Sequence, residues 1–182
     1  MRVFLDMDGL LADLFNRVSK KTHNKPYKAL TFKEKEEAKR IWTNKKEATC
    51  FFKTFDGVEN FFATLPDFGN KTRAVINASI AFAGEYTICT CPAAIDKEAS
   101  IKGKIKWIYK NLHPAPTEML FPVNKSTYAL NKDGTPNILI DDFPPYIQSW
   151  RNAGGIAIEM QTDAFENAVE VDAFLKTTFN HL

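Results

Sequence analysis

The chain has 182 residues, 45% of them hydrophobic, which is enough apolar sequence for one domain with a small insertion and excludes a disordered chain. Lysine and arginine total 24 against 22 acids, a formal net charge of +2, so a general nucleic-acid or membrane partner is excluded and any cationic function has to be local. No apolar run is long enough to span a bilayer, and the opening Met1 to Asp6 lacks a signal-peptide core, which makes a soluble cytoplasmic protein the expectation.

The first element is the apolar run Arg2-Val3-Phe4-Leu5, ending in Asp6-Met7-Asp8-Gly9. A buried strand that ends in two carboxylates must solvate them or give them a cation, and Gly9 lets the chain turn tightly beside whatever binds. A calcium loop of the EF-hand kind fails on spacing, since Leu11 stands where a glycine is needed and Arg17 where a bidentate acid is needed. The pattern then turns helical and charged. Thr31 and Glu34 read as a capping box opening a helix through Trp42. A second helix follows, capped by Asp56, with Val58, Phe61, Phe62 and Leu65 on one face and Pro66 as its stop. Residues 17–70 are therefore read as a small helical insertion.

Beyond it the chain alternates. A helix near 72–83 ends at Gly84, a strand covers 86–91, a helix 98–112 and a strand 118–122. After a loop with Asp133-Gly134 come a strand at 137–141, a helix at 145–153, a strand at 156–160 and a final helical region. Along the helix after residue 98, lysines 102, 104, 106 and 110 read as a wet face, with Ile101, Ile105, Ile108 and Leu112 toward the sheet. Such β-α alternation, with strands that are continuous apolar runs, predicts an α/β fold whose parallel sheet is covered on both faces. Cys89 and Cys91 lie in a strand, three cysteines including Cys50 cannot all pair, and His23, His113 and His181 are scattered. Reduced thiols and no zinc site are expected.

In open parallel sheets, ligands bind beyond the carboxyl ends of the strands. Those ends supply Asp6 and Asp8, then Thr90, then Lys125, then Asp141-Asp142. In that order the four elements resemble the motifs of the haloacid dehalogenase (HAD) superfamily of phosphotransferases, over the whole chain. The resemblance implies a Rossmann-like catalytic core over 1–16 and 71–182, with a helical cap over 17–70. It also implies an aspartyl-phosphate mechanism. Asp6 would be the nucleophile, splitting one hard step into two, and Asp8 the proton donor and acceptor. Mg²⁺ would be held by Asp6, the Asp8 carbonyl and Asp141, with Asp142 orienting a metal water or Lys125. Gly9, Thr90 and Lys125 would hold the phosphoryl group.

Further stretches narrow the resemblance. Asp6-Met-Asp-Gly-Leu-Leu-Ala-Asp13, Ile41-Trp42, Phe51-Phe52, Gly57-Val58-Glu59, Ile88-Cys-Thr-Cys-Pro92, Lys106-Trp107 and Leu139-Ile-Asp-Asp142 are similar to the 5'(3')-deoxyribonucleotidases. That family implies a deoxyribonucleoside monophosphate substrate and a base pocket, to which Leu14, Phe51, Phe52 and Cys91 are assigned, with Phe55 a further stacking candidate. The stretch from Asn16 to Leu30 is lysine-rich and lacks the family's tandem aromatic element, and Leu14 stands where an aromatic is expected. The other readings are a phosphatase for another small phosphomonoester and a phosphate-binding protein without turnover. No nucleic-acid polymer and no membrane is expected as partner, and a homodimer is left open.

Overall fold

Val3–Leu5 forms β1, a strand buried at every position, and in a computed structural model that describes the backbone of residues 1–182 and every side chain except that of Thr43, it is the centre of the sheet. Four further strands, β2 (Thr87–Cys89), β3 (Glu118–Leu120), β4 (Ile138–Asp141) and β5 (Ile156–Glu159), pair in the order β3-β2-β1-β4-β5, all parallel. Together with its flanking helices this is an α/β architecture consistent with a Rossmann-like fold. Register aligns Phe4 with Leu139 and Leu139 with Ala157, so period-two alternation puts all three on one face. There they pack with Cys89, Ala129, Ile147 and Trp150, under α7 (Pro144–Asn152). On the same unit α5 (Asn70–Ala83) packs against α8 (Ala168–Phe179), where the Phe82 and Phe179 rings stack 4.5 Å apart.

The chain divides into two compact units. The sheet unit comprises 1–12, 67–91 and 112–182; the helical unit comprises 13–66 and 92–111. The helical unit holds α1 (Leu14–His23), α2 (Phe32–Thr43), α3 (Lys45–Lys53), α4 (Val58–Ala63) and α6 (Lys97–Asn111). The capping box at the start of α2 forms as the sequence predicts: Glu34 N–H donates to Thr31 Oγ1 at 3.3 Å and Thr31 N–H to Glu34 Oε2 at 2.8 Å. Asp56 does not cap α4. It adopts φ 59°, and Gly57 at φ 108° is the N-cap, because the reversal after α3 needs two successive positive-φ residues.

The larger correction concerns α6, which belongs to the helical unit. Its buried face is Ser100, Gly103, Lys104, Trp107 and Ile108, packed on α4. Gly103 permits that approach, since a methyl group there would collide with the Glu59 carbonyl oxygen. Trp107 Nε1 donates to the Leu65 carbonyl at 2.7 Å. Lys104, read as a wet-face lysine, is fully buried with its ammonium 5.1 Å from the Phe62 ring centre. A helical wheel drawn for a helix lying on a sheet misplaces the apolar face of one that packs through a glycine onto another helix.

Candidate active site

The site begins where β1 stops. Asp6 follows Leu5 directly, and its N–H donates to the Ile140 carbonyl at 3.0 Å, so the sheet ladder fixes its backbone. The chain then folds into a tight loop in which Leu11 and Ala12 N–H donate to the Met7 carbonyl and Gly9 N–H to the Ala12 carbonyl. Gly9 therefore contributes its φ of 84°, while its amide is used inside the turn rather than offered to a phosphoryl oxygen. Two buried hydroxyls pin the loop from behind: Thr72 donates to the Leu11 carbonyl at 2.9 Å and Thr162 to the Leu10 carbonyl at 2.6 Å. Asp8 is half-buried on this loop and bridges to Ala12.

Asp6, Lys125, Asp141 and Asp142 come together as one buried cluster. Lys125, fully buried in a 3₁₀ turn after β3, donates to Asp6 Oδ1 at 2.5 Å and to Asp141 Oδ2 at 2.6 Å. An ion triad buried this deeply is costly to desolvate and is rarely kept for stability alone. The carboxylates beside Lys125 hold its ammonium above the usual lysine range, overcoming a burial penalty of opposite sign. Thr90 is buried one residue past β2, its N–H donating to the Leu120 carbonyl at 3.0 Å, and Cys91 is half-buried beyond it.

The two late acids have different surroundings. Asp141 Oδ2 accepts from Lys125 and its Oδ1 accepts from Phe143 N–H at 2.9 Å, so both of its oxygens are engaged. Asp142 is paired with no lysine or arginine among the described residues. Burial first, then repulsion from Asp6 and Asp141, pushes the Asp142 carboxyl far above the usual range, while burial and repulsion from Asp6 push Asp141 up less, opposed by Lys125. Ligand atoms of Asp6, Asp141 and Asp142 lie within 4.8 Å of one another. Three buried carboxylates against one ammonium leave excess negative charge on hard oxygens, a donor set that fits a divalent cation such as Mg²⁺. Asp141 pairs with Lys125, and it still offers an oxygen to the same space as Asp6 and Asp142, the acid that the sequence reading set behind the metal.

Tyr146, a residue the sequence reading did not single out, stands in the first turn of α7 with its ring centre 4.6 Å from the Lys125 ammonium. An aromatic one turn beyond an acidic pair was the available signal, but aromatics at helix starts are common in cores. Leu14, Phe51 and Phe52 lie in the helical unit, and all three are buried. Phe51 and Phe52 ring centres are 5.5 and 5.1 Å from that of Phe61, in an aromatic cluster that also takes in Phe55 and Phe62. Cys91 belongs to the sheet unit. The helical unit has its own cavity of about 240 Å³, lined by Trp42, Asn44, Lys45, Ala48, Ala94 and Ile95.

The fold and site thus define an α/β protein with an acid and lysine cluster at the carboxyl ends of its parallel strands. No protein-family model matches the chain, and no curated protein matches it in sequence. No helix among the described residues is long and apolar enough to cross a membrane.

Proposed function

We propose that the chain is a Mg²⁺-dependent phosphomonoesterase of the haloacid dehalogenase kind, acting on deoxyribonucleoside 5'-monophosphates and related 3'-monophosphates. The observation that carries the reading is the Lys125 bridge between Asp6 and Asp141 beside the uncompensated Asp142. A lysine held on a nucleophile-type carboxylate, next to a carboxylate lacking a cation, suits a site built to receive a phosphate dianion.

With Lys125 on Oδ1, the Asp6 Oδ2 lone pair is left to attack phosphorus. The new P–O bond forms to Asp6 as the ester P–O bond breaks, and Asp8 gives its proton to the departing alkoxide. Asp8, now a carboxylate, takes a proton from water, whose oxygen attacks phosphorus and displaces Asp6. Inorganic phosphate leaves, and both acids return to their starting states. Lys125 offsets the charge of Asp6 as the dianion approaches, and Thr90 orients a phosphoryl oxygen. A divalent cation bound among Asp6, Asp141 and Asp142 would supply charge neutralisation at the phosphoryl oxygens.

The deoxyribonucleotide assignment is supported by the sequence resemblance, while the phosphatase assignment is supported by the site. The test is phosphate release from 5'- and 3'-dUMP, dTMP, purine deoxynucleotides, UMP and an aryl phosphate, with and without Mg²⁺, beside Asp6→Asn. Mg²⁺-dependent turnover that favours deoxynucleotides and is lost in Asp6→Asn is expected. Aryl phosphate turnover alone overturns the nucleotide assignment, and no turnover by folded, Mg²⁺-supplied protein overturns the enzyme.

A further inference from the structure

We propose that Tyr146 is a positioning residue for Lys125: its ring face fixes the ammonium between Asp6 and Asp141. The inference rests on the phosphatase reading for its catalytic consequence, and on geometry alone for the interaction itself.

A lysine is a point charge on a flexible four-carbon stem, with none of the fork geometry by which arginine orients itself. Lys125 is nevertheless fully buried, where an ammonium donor lacking a partner is expensive. Two of its three N–H bonds are directed to Asp6 and Asp141. The Tyr146 ring, with its centre 4.6 Å away, presents the negative face of its quadrupole to the remaining side of the charge. Lys125 is thereby bounded by two carboxylates and an aromatic face.

The ring is itself held at several points. Burial pushes its phenol up, so the hydroxyl stays neutral, and the Cys91 thiol acts in the same direction. Cys91 Sγ in turn contacts the Val123 carbonyl at 3.7 Å, two residues before Lys125. The Phe143 ring sits edge-on at 5.1 Å, and the body of Tyr146 packs against the cluster of Phe4, Leu139 and Trp150. The ring is therefore anchored in the core of the sheet unit and meets the turn that carries Lys125.

A residue that only fills the core would be replaced equally well by leucine or phenylalanine. A residue that acts through its ring face would not. Tyr146→Phe keeps the face and loses only the hydroxyl, whereas Tyr146→Leu keeps apolar volume and loses the face. Aryl phosphate kcat is expected to fall about tenfold or more in Tyr146→Leu relative to Tyr146→Phe, with KM moving far less. Tyr146→Phe should cost about threefold or less, since the ring face that meets the ammonium is retained. In a Lys125→Met background the gap between Phe and Leu should vanish, both in residual kcat and in the urea unfolding midpoint. Equal kcat for the Phe and Leu variants, or the same gap with and without Lys125, overturns the proposal. Should Lys125→Met fail to fold, the Phe and Leu kcat values per folded protein decide it. Should the wild type release no phosphate, the phosphatase reading falls, and the urea cycle still decides the role of Tyr146.

Discussion

The sheet unit and the helical unit treat acidic charge differently. In the sheet unit, Asp6, Asp141, Asp142 and Lys125 are drawn into the interior at strand ends, where each is expensive unless matched. In the helical unit the ion pairs Lys25 with Glu34, Lys39 with Glu36, Arg40 with Glu47 and Lys106 with Glu59 lie at the surface, and the centre is given largely to phenylalanine rings, one of which, Phe62, faces the buried Lys104. Surface pairs add little to stability and report a solvated face. A buried cluster of several charges reports chemistry, because hydrophobic residues of similar volume would usually serve a core better.

That contrast can be broken by substitution. Phe61, fully buried among Phe51, Phe52, Phe55 and Phe62, is the hub of the helical unit. Phe61→Ala should cost about 3–5 kcal/mol, measured by urea denaturation. Gly103→Ala puts a methyl group against the Glu59 carbonyl and should cost about 1–3 kcal/mol by separating α6 from α4. Retained stability in either variant would mean that the helical core is not where its aromatic packing places it.

The acid cluster makes a subtler prediction, whose sign follows from linkage. The Asp142 carboxyl is raised in the folded protein, so above about pH 4 the unfolded chain gives up a proton that the folded one keeps. Protons bound in the unfolded state are then fewer than in the native state, and metal-free stability falls as pH rises toward the folded value. Thermal melts of metal-free protein should show a lower midpoint at pH 8 than at pH 5. Asp142→Asn should raise the pH 8 midpoint and flatten the dependence. Added Mg²⁺ should stabilise the wild type at pH 8, where the carboxylates are available to it, more than at pH 5, and the variant less than the wild type at pH 8. A metal-free midpoint that rises from pH 5 to pH 8 would overturn this account. The smallest effect belongs to the surface: Lys39→Ala, breaking an exposed pair with Glu36, should leave the melting midpoint unchanged.

Sheet-unit elements were legible because apolar runs broken by acids have few alternative explanations. The strands at 138–141 and 156–159 and the helix at 144–152 lie within a residue or so of their sequence readings. The Thr31 and Glu34 capping box was equally plain, being local chemistry complete within four residues. The helical unit was read less well. α3 went unassigned, although Asn44 caps it by accepting from Lys46 and Glu47 N–H. Lys104 looked solvated because its neighbours at 102, 106 and 110 are charged, and only the partner helix makes its position interior.

The sequence by itself determined the alternation of strands and helices, the parallel sheet, and the acids, threonine and lysine that end its strands. Periodicity and strand-end chemistry are properties of neighbours along the chain. Only the tertiary structure decided that α6 packs with the helical unit, that Asp6, Asp141 and Asp142 meet beside Lys125, and that Tyr146 faces the ammonium. Each of those depends on residues brought together from separate elements, and pairing across such distances is fixed by packing and burial, which no local pattern encodes.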